Sequence, residues 1–157
     1  LAVAANVPDC RVVMGELSEG ALRICKQNVR RNSLNARVTC LSVDALEAPS
    51  SSLWDFDVIV CNPPYIPSGD IAGLDPSVKD YEPHEALDGG ADGLDFYRAV
   101  ASRWKSALRL GGCLLFEVGM GQAPQVEELM AQNGYEGIQT AQDAQGIWRV
   151  VEGTVNS

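Results

Sequence analysis

Apolar and polar positions follow two alternating periods along the chain. Arg11-Val12-Val13-Met14 reads as a strand ending at Gly15-Glu16. Ser18 then offers an N-cap for a helix over Ser18 to Asn32, where Ala21, Leu22, Cys25 and Val29 form one apolar stripe. Arg37 to Val43 is the next strand, and Ser50-Ser51-Ser52 a short polar connection. Phe56-Asp57-Val58-Ile59-Val60-Cys61 is a continuous apolar run, the pattern of a strand covered on both faces. From Asn62 to Asp92 the periodicity disappears into a long loop rich in Pro and Gly. Loops of that length in compact domains are uncommon and act as lids or binding segments.

Helical spacing resumes over Leu94 to Leu108, with Tyr97, Val100, Ala101, Trp104 and Leu108 on one face and Gly111-Gly112 as the expected stop. Cys113 to Val118 is another buried strand, and Pro124 to Gln132 a helix closed by Gly134. Tyr135 to Thr140 and Ile147 to Glu152 are two strands joined by the polar turn Gln142 to Gly146, and so an antiparallel pair. Strands alternating with helices predict an α/β domain with a mostly parallel sheet, ending in a hairpin.

Composition narrows the partners. The 157 residues carry 12 Lys and Arg against 21 Asp and Glu, a formal net charge of -9. A chain that acidic is repelled by phosphate backbones and anionic lipid, so neither direct nucleic-acid binding nor membrane attachment is expected. No apolar run has the roughly 18 residues of a transmembrane helix, and Leu1 to Asn6 lacks the features of a signal peptide. Five cysteines without a C-x-x-C pair read as buried free thiols in the cytoplasm. The single histidine, His84, has no thiolates at ligand spacing, so no metal site is expected.

The chemistry concentrates in Asn62-Pro63-Pro64-Tyr65, which follows the most hydrophobic strand. Ligands of open α/β sheets bind at the carboxyl ends of strands. Consecutive prolines fix φ and remove two backbone donors, leaving carbonyls to accept. The Asn62 side-chain oxygen and the Pro63 carbonyl can then both accept from one planar NH2 group, with Tyr65 as a flat face beside it. Such an NH2 is a poor nucleophile because its lone pair is delocalised. Acceptors on its hydrogens raise its electron density and fix its direction, which is catalysis by positioning and electrostatics. The bland alternative is a structural Pro-Pro turn.

The tetrapeptide resembles the motif of class I, S-adenosylmethionine-dependent methyltransferases that act on planar amino nitrogens. Ile66-Pro67, Tyr81-Glu82-Pro83-His84-Glu85-Ala86-Leu87, and Gly89-Gly90-Ala91-Asp92-Gly93-Leu94-Asp95-Phe96-Tyr97-Arg98 narrow it, with Phe116-Glu117-Val118-Gly119, Gln122 and Arg149-Val150-Val151-Glu152-Gly153. Together they resemble the bacterial release-factor glutamine methyltransferases over essentially the whole chain. The resemblance implies methyl transfer from S-adenosyl-L-methionine to the side-chain amide of the glutamine in the Gly-Gly-Gln motif of peptide chain release factors. It implies Asn62, Pro63 and Tyr65 as catalytic, and Asn62, Pro63, Pro64 and Tyr65 around the substrate amide, with Tyr81-Glu82-Pro83 positioning the loop. Adenine also presents a planar NH2, so an adenine N6-methyltransferase on DNA or RNA is the alternative from the same motif; the acidic charge and the lack of a basic groove oppose it. A third alternative is a non-catalytic fragment that only binds the protein substrate.

Glu16, ending the strand that begins at Arg11, is placed to accept from a ribose diol. The family usually has Asp there, and a solvated acid is the plain alternative. Asp44 and Ala45, after the next strand, are the candidates for the adenine pocket, with an N-cap or turn Asp as the alternative. The cofactor set is therefore Glu16, Asp44, Ala45 and Asn62. Only 15 residues precede Glu16, with no Gly before Gly15. The expected fold is thus a class I methyltransferase, Rossmann-like sheet lacking its first strand and glycine loop. Residues 1–157 are expected to form a partial methyltransferase domain with the substrate loop at 62–92 and without the family's N-terminal helical domain.

Overall fold

The structure, a computed structural model, describes residues 1–156 and divides into two compact units, Leu1–Ala45 and Leu46–Ser157. In the first unit, helix α1 (Ala2–Asn6) precedes strand β1 (Val12–Glu16), helix α2 (Glu19–Arg31) and strand β2 (Val38–Ser42). The two strands are parallel, with Glu16 opposite Ser42, so their carboxyl ends coincide. Ser18 caps α2 by accepting from the Ala21 N–H at 3.4 Å. Ala4, Val29, Leu34 and Val38 form the buried centre of this unit, with Val12, Met14 and Cys40 packed against it.

The second unit carries strand β3 (Phe56–Cys61), short helices α3 (Pro76–Lys79) and α4 (His84–Leu87), helix α5 (Asp95–Arg103), strand β4 (Leu108–Glu117), helix α6 (Ala123–Gln132), and strands β5 (Glu136–Gln142) and β6 (Trp148–Thr154). Their order in the sheet is β3-β4-β6-β5. β3 and β4 are parallel, while β6 runs antiparallel to both β4 and β5. The core lies around β4: Leu114, Phe116 and Val118 are fully buried with Tyr97, Val126, Met130 and Val151. The Tyr97 and Phe116 rings meet edge to face at 5.1 Å, and the Tyr97 hydroxyl donates to the Glu117 carbonyl at 3.0 Å. That bond satisfies the hydroxyl that burial would otherwise leave costly.

The α/β class and the closing antiparallel hairpin agree with the sequence pattern. Strand pairing forms a β1-β2 pair and a four-stranded sheet. Three expectations are corrected. The helix beginning after Leu94 does not reach Leu108; it ends at Arg103, passes through one 3₁₀ turn (Trp104–Ala107), and Leu108 is already strand paired with Phe56. Gly111-Gly112 is accordingly no helix stop but a bulge inside β4, where the register against β3 jumps from Leu108 to Cys113. Gly111 has φ +77, and a Cβ on Gly112 would lie 2.9 Å from the Phe56 carbonyl oxygen. Second, β3 is not covered on both faces: Val58 and Val60 are 50% and 71% exposed. β3 ends its sheet, so apolar composition alone did not report burial. Third, all five free cysteines are only partly buried.

Candidate active site

β3 ends at Cys61, and Asn62-Pro63-Pro64-Tyr65 follows directly at its carboxyl end. Asn62 is exposed, Pro63 buried, and Pro64 and Tyr65 half-buried. Cys61, immediately before Asn62, has its thiol pushed up to about 12 by burial, so it is a neutral packing group at ordinary pH. The chain then enters the loop, whose two ends are zipped together. Ile66 pairs with Asp88 as an isolated parallel bridge, the Ile66 N–H donating to Leu87 at 3.0 Å and the Gly89 N–H to Ile66 at 2.9 Å. The Ser68 N–H donates to the Gly90 carbonyl at 2.9 Å, and its hydroxyl to Asp88 at 2.6 Å. The Gly90 N–H also donates to Asp88, and these two bonds hold the Asp88 carboxyl below its usual range.

Inside this neck, three glycines admit Tyr65. A Cβ on Gly89 would lie 2.8 Å from the Tyr65 Cα, and one on Gly93 2.3 Å from the Tyr65 carbonyl oxygen. One on Gly119 would lie 2.9 Å from the Tyr65 ring. Gly93 also has φ +76, a backbone state that costs other residues about 1–2 kcal/mol. The Gln122 side chain closes the arrangement, donating from Nε2 to the Tyr65 carbonyl at 2.9 Å and accepting at Oε1 from the Gly119 N–H at 3.0 Å. Asp92 is gripped by Arg98, with Nη1 at 2.9 Å, and its carboxyl is lowered to about 2.

The remaining candidates lie elsewhere. Glu16 is half-buried at the end of β1, and its Oε1 accepts from the Ser18 N–H at 2.8 Å, at the start of α2. A carboxylate has about four acceptor sites, so that bond leaves capacity for a diol. Asp44 and Ala45 are half-buried, just beyond the carboxyl end of β2, the same end of the strand pair that Glu16 occupies. Glu16, Asp44 and Ala45 belong to the first unit and Asn62 to Tyr65 to the second. Tyr81 is 84% exposed in the outer part of the loop. Glu117 is exposed, and among the described residues no cluster of His, Cys, Asp and Glu could hold a metal. No helix among them is long and apolar enough to cross a membrane.

Gln122 and the glycines at 89, 93 and 119 lie within the longer motifs, but the sequence pattern assigns no individual role to any of them. The available signal was local: a glycine and a glutamine three residues apart, Gly119 and Gln122, just after a buried strand.

The family described as "Methyltransferase small domain" matches residues 1–72. A release factor glutamine methyltransferase from Geobacter sulfurreducens is 43% identical over 155 residues, covering 99% of this chain and 53% of that protein. The chain thus spans about half the length of the curated relatives it matches. Among solved structures, a methyltransferase from Pyrococcus furiosus superposes with TM-score 0.70 at 18% identity, over 99% of this chain and 68% of its own. A release factor-specific protein-(glutamine-N5) methyltransferase from Alicyclobacillus acidocaldarius gives 0.51 at 24% identity, over 94% and 81%. At these identities the structural likeness establishes the fold, that of class I methyltransferases.

Proposed function

The chain belongs to the release factor glutamine methyltransferase family, and on that premise we propose that the protein carrying it methylates the side-chain amide of glutamine in the Gly-Gly-Gln motif of peptide chain release factors. The observation that carries this reading is the tetrapeptide Asn62 to Tyr65 at the end of β3, braced by three glycines and Gln122. The Asn62 side-chain oxygen and the Pro63 carbonyl accept from the two hydrogens of the substrate NH2. They fix its plane, and Tyr65 and Pro64 form the wall beside it. When bound, S-adenosylmethionine would supply a sulfonium methyl as the electrophile, its sulfur leaving as a neutral thioether. Acceptors on the amide hydrogens would favour the nitrogen as it gains positive charge and direct the proton it loses toward water. Cys61, held as a neutral thiol, supplies neither base nor competing nucleophile next to the slot.

The acceptors in the first unit fit part of that cofactor. A ribose diol presents two hydroxyl donors, which suits the Glu16 carboxylate; the adenine amino group and ring edge suit Asp44 and Ala45. A protein substrate also suits a chain of net charge -9 better than nucleic acid does. The cytoplasm, where translation terminates, is the compartment this reading requires.

Intact-mass measurement of a release factor incubated with S-adenosylmethionine and the full-length protein is expected to show the gain of one methyl group, mapped to the Gly-Gly-Gln peptide. Asn62→Ala is expected to lower turnover about 10²–10³-fold, the loss typical of a removed transition-state hydrogen-bond partner, with a much smaller effect on cofactor affinity. No mass gain on the release factor, or a gain on oligonucleotides instead, would overturn the proposal.

A further inference from the structure

Gln122 is the residue preceding α6, yet its side chain makes no capping bond to that helix. Both ends of its carboxamide are directed instead at backbone groups outside the helix. Oε1 accepts from Gly119, while Nε2 donates to the Tyr65 carbonyl at 2.9 Å and the Gly93 carbonyl at 3.4 Å. One planar head therefore ties the end of the tetrapeptide, the far end of the loop and the turn after β4 to one another. Only a primary carboxamide of this length offers an acceptor and two donors on one head. An ionised glutamate is acceptor-only and would face two carbonyl oxygens; a methionine would fill the space without bonding. Gly93 and Gly119 are also the positions at which a Cβ would press on the carboxamide, at 2.8 Å from Nε2 and 2.5 Å from Oε1.

We propose that Gln122 is a positioning residue, whose carboxamide fixes the Tyr65 carbonyl and so sets the orientation of the amide slot at Asn62 to Tyr65. The role rests on the methyltransferase reading of that slot. Gln122 touches no reacting atom; it acts through Tyr65, and its contribution is to geometry. Misplacing a reacting group by about 1 Å costs on the order of 10²-fold in rate.

The test uses the full-length protein and the variants Gln122→Met and Gln122→Glu. For Gln122→Met, kcat on a release factor is expected to fall about 10–100-fold, with KM and cofactor affinity within about threefold. The Gly119 amide, which donates to Gln122, is expected to exchange with solvent deuterium faster, as are the Ile66 and Ser68 amides of the neck. Gln122→Glu supplies a second readout. Two facing carbonyls disfavour its charged form and raise its carboxyl pKa. Protonated, it can again accept from Gly119 while donating to Tyr65. Its activity relative to the unsubstituted protein is therefore expected to rise as pH falls through that pKa, whereas a residue that only fills space gives a flat ratio. Unchanged kcat and exchange in Gln122→Met, or a flat ratio in Gln122→Glu, overturns the proposal. If the unsubstituted protein transfers no methyl to a release factor, the functional reading itself fails. The exchange rates at Gly119, Ile66 and Ser68 then still decide whether Gln122 holds the slot: unchanged rates sink the inference as well.

Discussion

The loop after β3 holds two regions built on different principles. Its neck, where Asn62 to Ser68 meets Leu87 to Gly93, is joined by bonds between residues twenty or more positions apart, as in Ser68 to Asp88 and Gly89 to Ile66. Its outer part, from Gly69 to Ala86, is held by bonds between residues at most seven positions apart, such as Asp75 accepting from the Ser77 N–H at 2.8 Å and Lys79 donating to the Ala72 carbonyl. The outer helices α3 and α4 have four residues each, far below the length at which helices persist by propensity. Ile71 is the buried apolar residue of that stretch, whereas Tyr81 stands 84% exposed. The neck thus behaves as an extension of the sheet and the outer part as an appendage to it. A site that must hold an NH2 group in line needs the first kind of construction.

The strongest way to break this contrast is to add one methyl group inside the neck. In Gly93→Ala, the new Cβ meets the Tyr65 carbonyl oxygen at 2.3 Å, and the residue keeps φ +76. Left-handed strain and overpacking against backbone together are expected to destabilise by about 2–4 kcal/mol, read as a lower denaturation midpoint, with loss of methyl transfer. A midpoint within experimental error of the unsubstituted protein would mean that the neck is not rigid.

Much of this architecture was legible in the sequence because it depends on local periodicity. The stripe of α2, the apolar run of β3 and the hairpin of β5 and β6 each carry their own signal within about twenty residues. Gly111-Gly112 was not legible, because φ above zero serves a helix stop and a strand bulge equally well. The choice between them was made by Phe56, which pairs with Leu108 and draws the chain into the sheet before the glycines arrive. The exposed face of Val58 and Val60 is likewise a property of the surroundings of β3, not of its composition. Within the candidate site, the tetrapeptide announced itself through two adjacent prolines. Gln122 did not, since two of its three partners, Tyr65 and Gly93, lie in segments far away along the chain.

A smaller effect comes from acid. Asp92 beside Arg98 has its carboxyl lowered to about 2, against an ordinary aspartate near about 3.9. A depressed carboxyl contributes stability that is present above the unfolded pKa and is lost as pH falls through the folded one. Both side chains are about half exposed, so the pair is screened and its loss is local. Pepsin cleavage around Leu94 to Tyr97 is therefore expected to accelerate between about pH 4 and pH 2, and Asp92→Asn to show that acceleration already at pH 4. Cleavage rates equal in the two proteins across this range would remove the ion pair from the list of things that hold the neck.

The smallest effect belongs to the outer loop and completes the comparison. A Cβ on Gly73 meets nothing within 4 Å, and Gly73 is not among the glycines with positive φ. Gly73→Ala consequently adds no clash, and it removes conformational freedom from the unfolded chain, which favours folding by up to about 1 kcal/mol. The expected denaturation midpoint is unchanged or slightly raised, and methyl transfer is retained. The same substitution, glycine to alanine, twenty residues apart in one loop, is therefore expected to destabilise in the neck and not in the outer part. A loss at Gly73 comparable to that at Gly93 would show that the outer part is packed as tightly as the neck. The division of the loop into an ordered brace and a loosely held excursion would then have to be abandoned.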